Sequence, residues 1–115
     1  MKRLSLFVLC SAAALAQNSA PAGNADNGKR LFMRNGCYEC HGTMAQGGTG
    51  PRLAPRPLPA AALTAYVRKP GQGMPPFSAK VMSDAEVADV RAFLATLPEP
   101  TPVKDIPLLN EIKGP

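Results

Sequence analysis

The sequence predicts a small all-helical domain gathered round one site, and three observations carry that prediction. Stretches near residues 24–34, 59–68 and 83–97 each open on a capping residue or a proline and close on glycine or proline, as helices do. The segments between them are rich in Gly and Pro and show no strand alternation. Within one of them, Cys37-Tyr38-Glu39-Cys40-His41 sets two thiols three positions apart on one turn of backbone, with an imidazole directly after.

The elements follow in order. Lys2 and Arg3 precede an apolar run from Leu4 to Ala16, ending in Ala14-Leu15-Ala16 ahead of polar residues. Such zoning predicts a secretory signal peptide over 1–16, cut after Ala16 or as late as Ala20, and hence export to the periplasm. A membrane-spanning helix would need about 20 apolar residues, against 13 here. Leu9 is too bulky to precede a lipidated Cys10.

Residues 17–23 are a polar lead. The first helix starts on Asn24 or Asp26, either of which can cap free N–H groups, and Asn35-Gly36 stops it after Arg34. Gly28 and Phe32 share a face of it. Glycine costs a helix about 1 kcal/mol against alanine, so its presence predicts that another backbone approaches there.

The Cys-x-x-Cys-His motif has several possible uses. A redox dithiol would want a strand and a βαβ setting, and a zinc site would want four ligands. The chain holds only three cysteines and one histidine, with Cys10 in the predicted leader. Two thiols at this spacing can instead add across the two vinyl groups of one porphyrin while His41 offers its imidazole to iron. The motif therefore predicts one haem c, attached through Cys37 and Cys40.

Residues 42–53 have no periodicity and enough glycine to wrap closely round a planar ligand. Pro51 lacks an N–H, but its carbonyl can accept from the far nitrogen of His41 and fix the imidazole tautomer. Leu53 would pack on the ring. After a stiff proline connector, Pro59 suits the start of a second helix, Ala60–Arg68, which Pro70 halts. Leu63, Tyr66 and Val67 form one stripe of it, a wall for core and haem alike.

Gly73-Met74-Pro75-Pro76-Phe77 holds a methionine in a backbone of little freedom, so a thioether could stay on iron despite a small binding energy. Met74 is the choice for sixth ligand, with Met82, Met33, Met44 or no protein ligand as alternatives. A second histidine within the chain is excluded, because His41 is the only one. The third helix opens on a capping box, Ser83-Asp84-Ala85-Glu86, with Met82 and Val87 as a hydrophobic staple. Val87, Val90, Phe93, Leu94 and Leu97 give it an apolar face, and Val90 and Phe93 are the partners expected for Gly28 and Phe32. Residues 98–115 carry five prolines and are predicted to be an extended tail.

Six aromatics, no Trp, 13 prolines and 10 glycines make a thin core for 115 residues. A large apolar prosthetic group would complete it. Removal of 1–16 leaves 11 basic against 8 acidic residues, a formal charge of +3. No basic run interleaved with aromatics points to nucleic acid, so the surplus suits steering toward an acidic protein partner.

Over about residues 25–97 the chain resembles the small single-haem class I cytochromes c of the bacterial periplasm. The likeness rests on Gly28 with Phe32, Cys37-Tyr38-Glu39-Cys40-His41, Gly50-Pro51-Arg52-Leu53, Gly73-Met74-Pro75-Pro76-Phe77, and Val90 with Phe93. It implies a cytochrome c-like all-α fold, three to four helices wrapped around one covalent haem, the first and last crossing near it. It also implies Cys37 and Cys40 as thioether attachments, His41 and Met74 as iron ligands and Pro51 as acceptor for His41. Arg52 and Arg56 are candidate propionate partners, and Arg68, Lys69 and Lys80 candidate docking cations.

The function implied is one-electron transfer between protein donors and acceptors, without catalysis, by a monomer or by a subunit of a redox complex with no membrane span after cleavage. Two alternatives stand beside it. One is a cytochrome subunit of a larger periplasmic dehydrogenase or oxidase, with 98–115 as its strap. The other is a haem-based ligand sensor or peroxidase with an open iron position.

Overall fold

Asn24 opens α1 (Ala25–Arg34) by accepting from the Asn27 amide at 3.0 Å, in a computed structural model that describes residues 22–112. The expected leader and its cleavage points lie outside the described residues. Among those residues there is no strand. The helices are α1, α2 (Cys37–His41), α3 (Ala60–Arg68), α4 (Asp84–Thr96) and a short α5 (Pro107–Glu111), with a 3-10 turn at Val103–Asp105.

The core lies where α1 crosses α4. Leu31 and Phe32 from α1 and Val87, Val90, Phe93 and Leu94 from α4 are buried. The rings of Phe32 and Phe93 meet with centroids 5.5 Å apart and planes tilted 57°, a geometry worth about 0.5–1.5 kcal/mol beyond the area it buries. Gly28 is why the crossing is so close. A Cβ there would run into the Asp89 carbonyl and sit 2.9 Å from the Val90 nitrogen, so the two backbones are in direct contact. The Asp89 carboxylate fastens the same crossing, accepting from the Asn24 amide at 2.6 Å and from Asn27 Nδ2 at 2.7 Å.

Helix α4 starts on the expected capping box. The Glu86 amide donates to Ser83 Oγ at 3.2 Å, and Glu86 Oε2 accepts from the Ser83 amide at 2.8 Å. Met82 and Val87, the two sides of the staple, are both buried. Helix α3 packs on α4 through buried Leu63 and Val67. Pro59 sits at its cap position, one residue before the first helical turn.

The tail departs from expectation. It is not extended throughout, because Pro107 stands at the first position of α5, where its missing N–H costs nothing and its fixed φ favours the helix. That helix packs on the preceding 3-10 turn, and Val103, Leu108, Leu109 and Ile112 remain exposed.

Candidate functional site

The site is built on α2 and on the loop that folds back over its end. A helix leaves its last carbonyls without partners, and here the loop supplies them. The amides of Gly42, Gly50 and Gly47 donate to the carbonyls of Tyr38, Cys40 and His41 at 2.8, 2.9 and 2.8 Å. The loop then closes on buried Ala45, whose carbonyl accepts from the Leu53 amide at 2.9 Å. Cys37, Cys40 and His41 are thereby fixed relative to residues 50–53.

His41 is buried, 7% exposed, and its Nδ1 lies 2.7 Å from the Pro51 carbonyl oxygen. A carbonyl can only accept, so Nδ1 carries the proton and the lone pair is left on Nε2, the nitrogen able to bind a metal. Gly50 makes this approach possible. A Cβ at that position would fall 2.8 Å from His41 Cε1 and 2.9 Å from Nδ1, displacing the ring. The sequence hinted at Gly50 only through its place before Pro51, and its clearance for the imidazole emerges from the structure.

Cys37 is half-buried and Cys40 exposed, and neither is in a disulfide. Burial pushes the Cys37 thiol up, partly opposed by a backbone hydrogen bond. Conversion to a thioether would abolish that titration.

Cys37, Tyr38, Leu53, Met74 and Phe77 are partly buried hydrophobics packed on the core, while Leu63 and Val67 are inside it. Tyr66, of the same helix, is 42% exposed. The other candidate methionines lie differently. Met82 is buried in the α4 staple with its sulfur 3.8 Å from Asn35 Nδ2, and Met33 and Met44 are exposed.

The candidate cations are also sorted. Arg56 pairs with Glu99 at 2.8 Å and Arg52 reaches the Gln46 carbonyl at 3.5 Å. Arg68 is held by the Phe77 carbonyl and Asp84, so it is not a free docking charge. Lys69 and Lys80 are exposed.

Among the described residues no three His, Cys, Asp or Glu side chains gather as a metal site. Residues 23–94 match the family model described as cytochrome c oxidase, cbb3-type, subunit III. The chain belongs to this cytochrome c family. It is also 35% identical over 94 residues to the cytochrome c subunit of 4-cresol dehydrogenase (hydroxylating) of Pseudomonas putida, a match covering 82% of this chain and 78% of the relative. No solved structure matches.

As a c-type cytochrome the protein carries covalently bound haem c with its iron, and it transfers electrons without itself catalysing a reaction. The residues present fit that group, with two cysteines and a buried imidazole on one helix beside half-buried apolar side chains that a flat macrocycle would cover. The haem supplies the exchange of one electron between ferrous and ferric iron. The cytochrome supplies attachment, orientation and exclusion of water.

Proposed function

We propose that this cytochrome is a periplasmic one-electron carrier whose haem is attached through Cys37 and Cys40 and whose iron is bound by His41 and Met74, with Pro51, Leu53 and Tyr66 round the ring. The observation that carries this reading is the 2.7 Å contact between His41 Nδ1 and the Pro51 carbonyl. It leaves Nε2 for iron and favours a firm, basic ligand. Met74 is supported by its half-buried place against the core, where Met82 is sealed in and Met33 and Met44 are exposed. A thioether from Met74 together with the His41 imidazole would raise the potential relative to two nitrogen ligands, and an iron so held would leave no position for a substrate.

The test is a spectrum of the matured protein in both oxidation states, beside Met74→Ala. The wild type is expected to show a sulfur-to-iron charge-transfer band when oxidised. The variant should lose that band, shift to a lower midpoint and bind carbon monoxide promptly when reduced. A variant with unchanged band and midpoint would overturn the ligand assignment, and prompt carbon monoxide binding by the wild type would favour a sensor or peroxidase.

A second reading, subunit of a larger dehydrogenase, is favoured by the relative named as the cytochrome c subunit of 4-cresol dehydrogenase. Stable co-purification with a larger oxidoreductase supports it, and a monomer that recovers alone supports the free carrier.

A further inference from the structure

The segment 71–77 is tied to the helices at its far end. Its first part is a turn in which the Met74 amide reaches the Gly71 carbonyl at 3.3 Å, with Gln72 and Gly73 at φ 57° and 81°, in the left-handed region. After Met74 come two prolines, each with φ fixed near −65° and each restricting the residue before it. Met74 is therefore joined to Phe77 by a stiff strut, and whatever holds Phe77 holds the sulfur.

Both backbone groups of Phe77 are held by the end of α3. Its amide donates to the Val67 carbonyl at 2.8 Å, and its carbonyl accepts from Arg68 Nη1 at 2.8 Å. The other arm of the same guanidinium bonds Asp84 at the start of α4. The Arg68 side chain is only 22% exposed. Its planar fork serves the two acceptors from two separate nitrogens, where a lysine would have a single nitrogen to offer both.

We propose that Arg68 is the positioning residue for the methionine ligand, acting through the Phe77 carbonyl and the Pro75-Pro76 strut. This rests on the assignment of Met74 to iron. A carbonyl bond from a charged donor is worth at least a tenfold factor in population. Its loss raises the fraction of protein with sulfur off iron by about tenfold or more.

The experiment compares Arg68→Gln, Arg68→Lys, Asp84→Asn and Met74→Ala holoproteins. The readouts are the sulfur-to-iron band of the oxidised form, the carbon monoxide binding rate of the reduced form, and thermal unfolding. Arg68→Gln should weaken the band and speed carbon monoxide binding about tenfold or more, with Arg68→Lys in between. Asp84→Asn removes the charge from the tie between α3 and α4, weakening it while sparing Phe77, so it should lower the unfolding temperature and leave the carbon monoxide rate near wild type.

Equal acceleration in Asp84→Asn and Arg68→Gln overturns the proposal, since the tie between helices would then suffice. So does an Arg68→Gln protein with wild-type band and rate while Met74→Ala loses the band. If Met74→Ala keeps the band, the ligand assignment falls and takes the proposal with it. Should Arg68→Gln fail to mature, NMR of the reduced wild type decides. Slowly exchanging Arg68 guanidinium protons close to Phe77 support the grip, and a freely rotating guanidinium refutes it.

Discussion

At the scale of single residues, the site depends on what the loop leaves out. The acceptor for His41 is a main-chain oxygen, so no side-chain replacement deletes it, and the loop's course is what can be damaged. Gly50→Ala is expected to press on the imidazole, destabilising the holoprotein by about 1–3 kcal/mol as an overpacked site does, with the iron-ligand bands perturbed. Pro51→Ala keeps the carbonyl and should leave those bands near wild type. Guanidinium unfolding and visible spectra of the two variants check this pair. Changing the length of residues 42–50 should disturb the site more than exchanging any polar side chain within them.

At the scale of elements, the crossing of α1 and α4 bears most of the stability. Gly28→Ala puts a methyl group into the Asp89 carbonyl and should force the helices apart at a cost of about 3 kcal/mol, the upper end for overpacking. Asp89→Ala leaves the Asn24 amide and Asn27 Nδ2 without their acceptor and should cost about 1–3 kcal/mol. Denaturant titration of each holoprotein measures both. This part of the fold was legible in the sequence because caps, glycine and aromatic spacing are local signals: Asn24, Gly28, Phe32, the Ser83 box and Phe93 stand in the structure where their pattern put them. In the site, the sequence paired His41 with Pro51, and the structure has them 2.7 Å apart. What the sequence did not reveal are contacts between distant residues with no local signature. Arg68 looked like a surface cation beside Lys69, yet its fork closes on Phe77 and Asp84. Tyr66 shares a stripe with Leu63 and Val67, yet is 42% exposed where they are buried. The short helix at Pro107 has only its leading proline as a local signal, in a stretch whose other prolines favour extended backbone.

At the scale of the whole molecule, residues 99–112 touch the domain lightly. Glu99 pairs with Arg56, and α5 packs on the 3-10 turn beside it. Removing residues 101–115 should therefore change stability by less than about 1 kcal/mol, as surface changes do, and leave the visible spectrum intact. Thermal unfolding of the truncated holoprotein checks this. A role in docking would appear separately, as weaker co-purification with a redox partner. The hydrogen bond from Asn24 to Asp89 joins residues 65 apart in the chain, so the first helix finds its mate in the fourth. Closing so long a loop carries an entropic cost before any contact offsets it, and non-local pairing slows folding. On the ribosome or at a translocation pore, α1 must wait for nearly the whole domain to emerge before it can pack on α4.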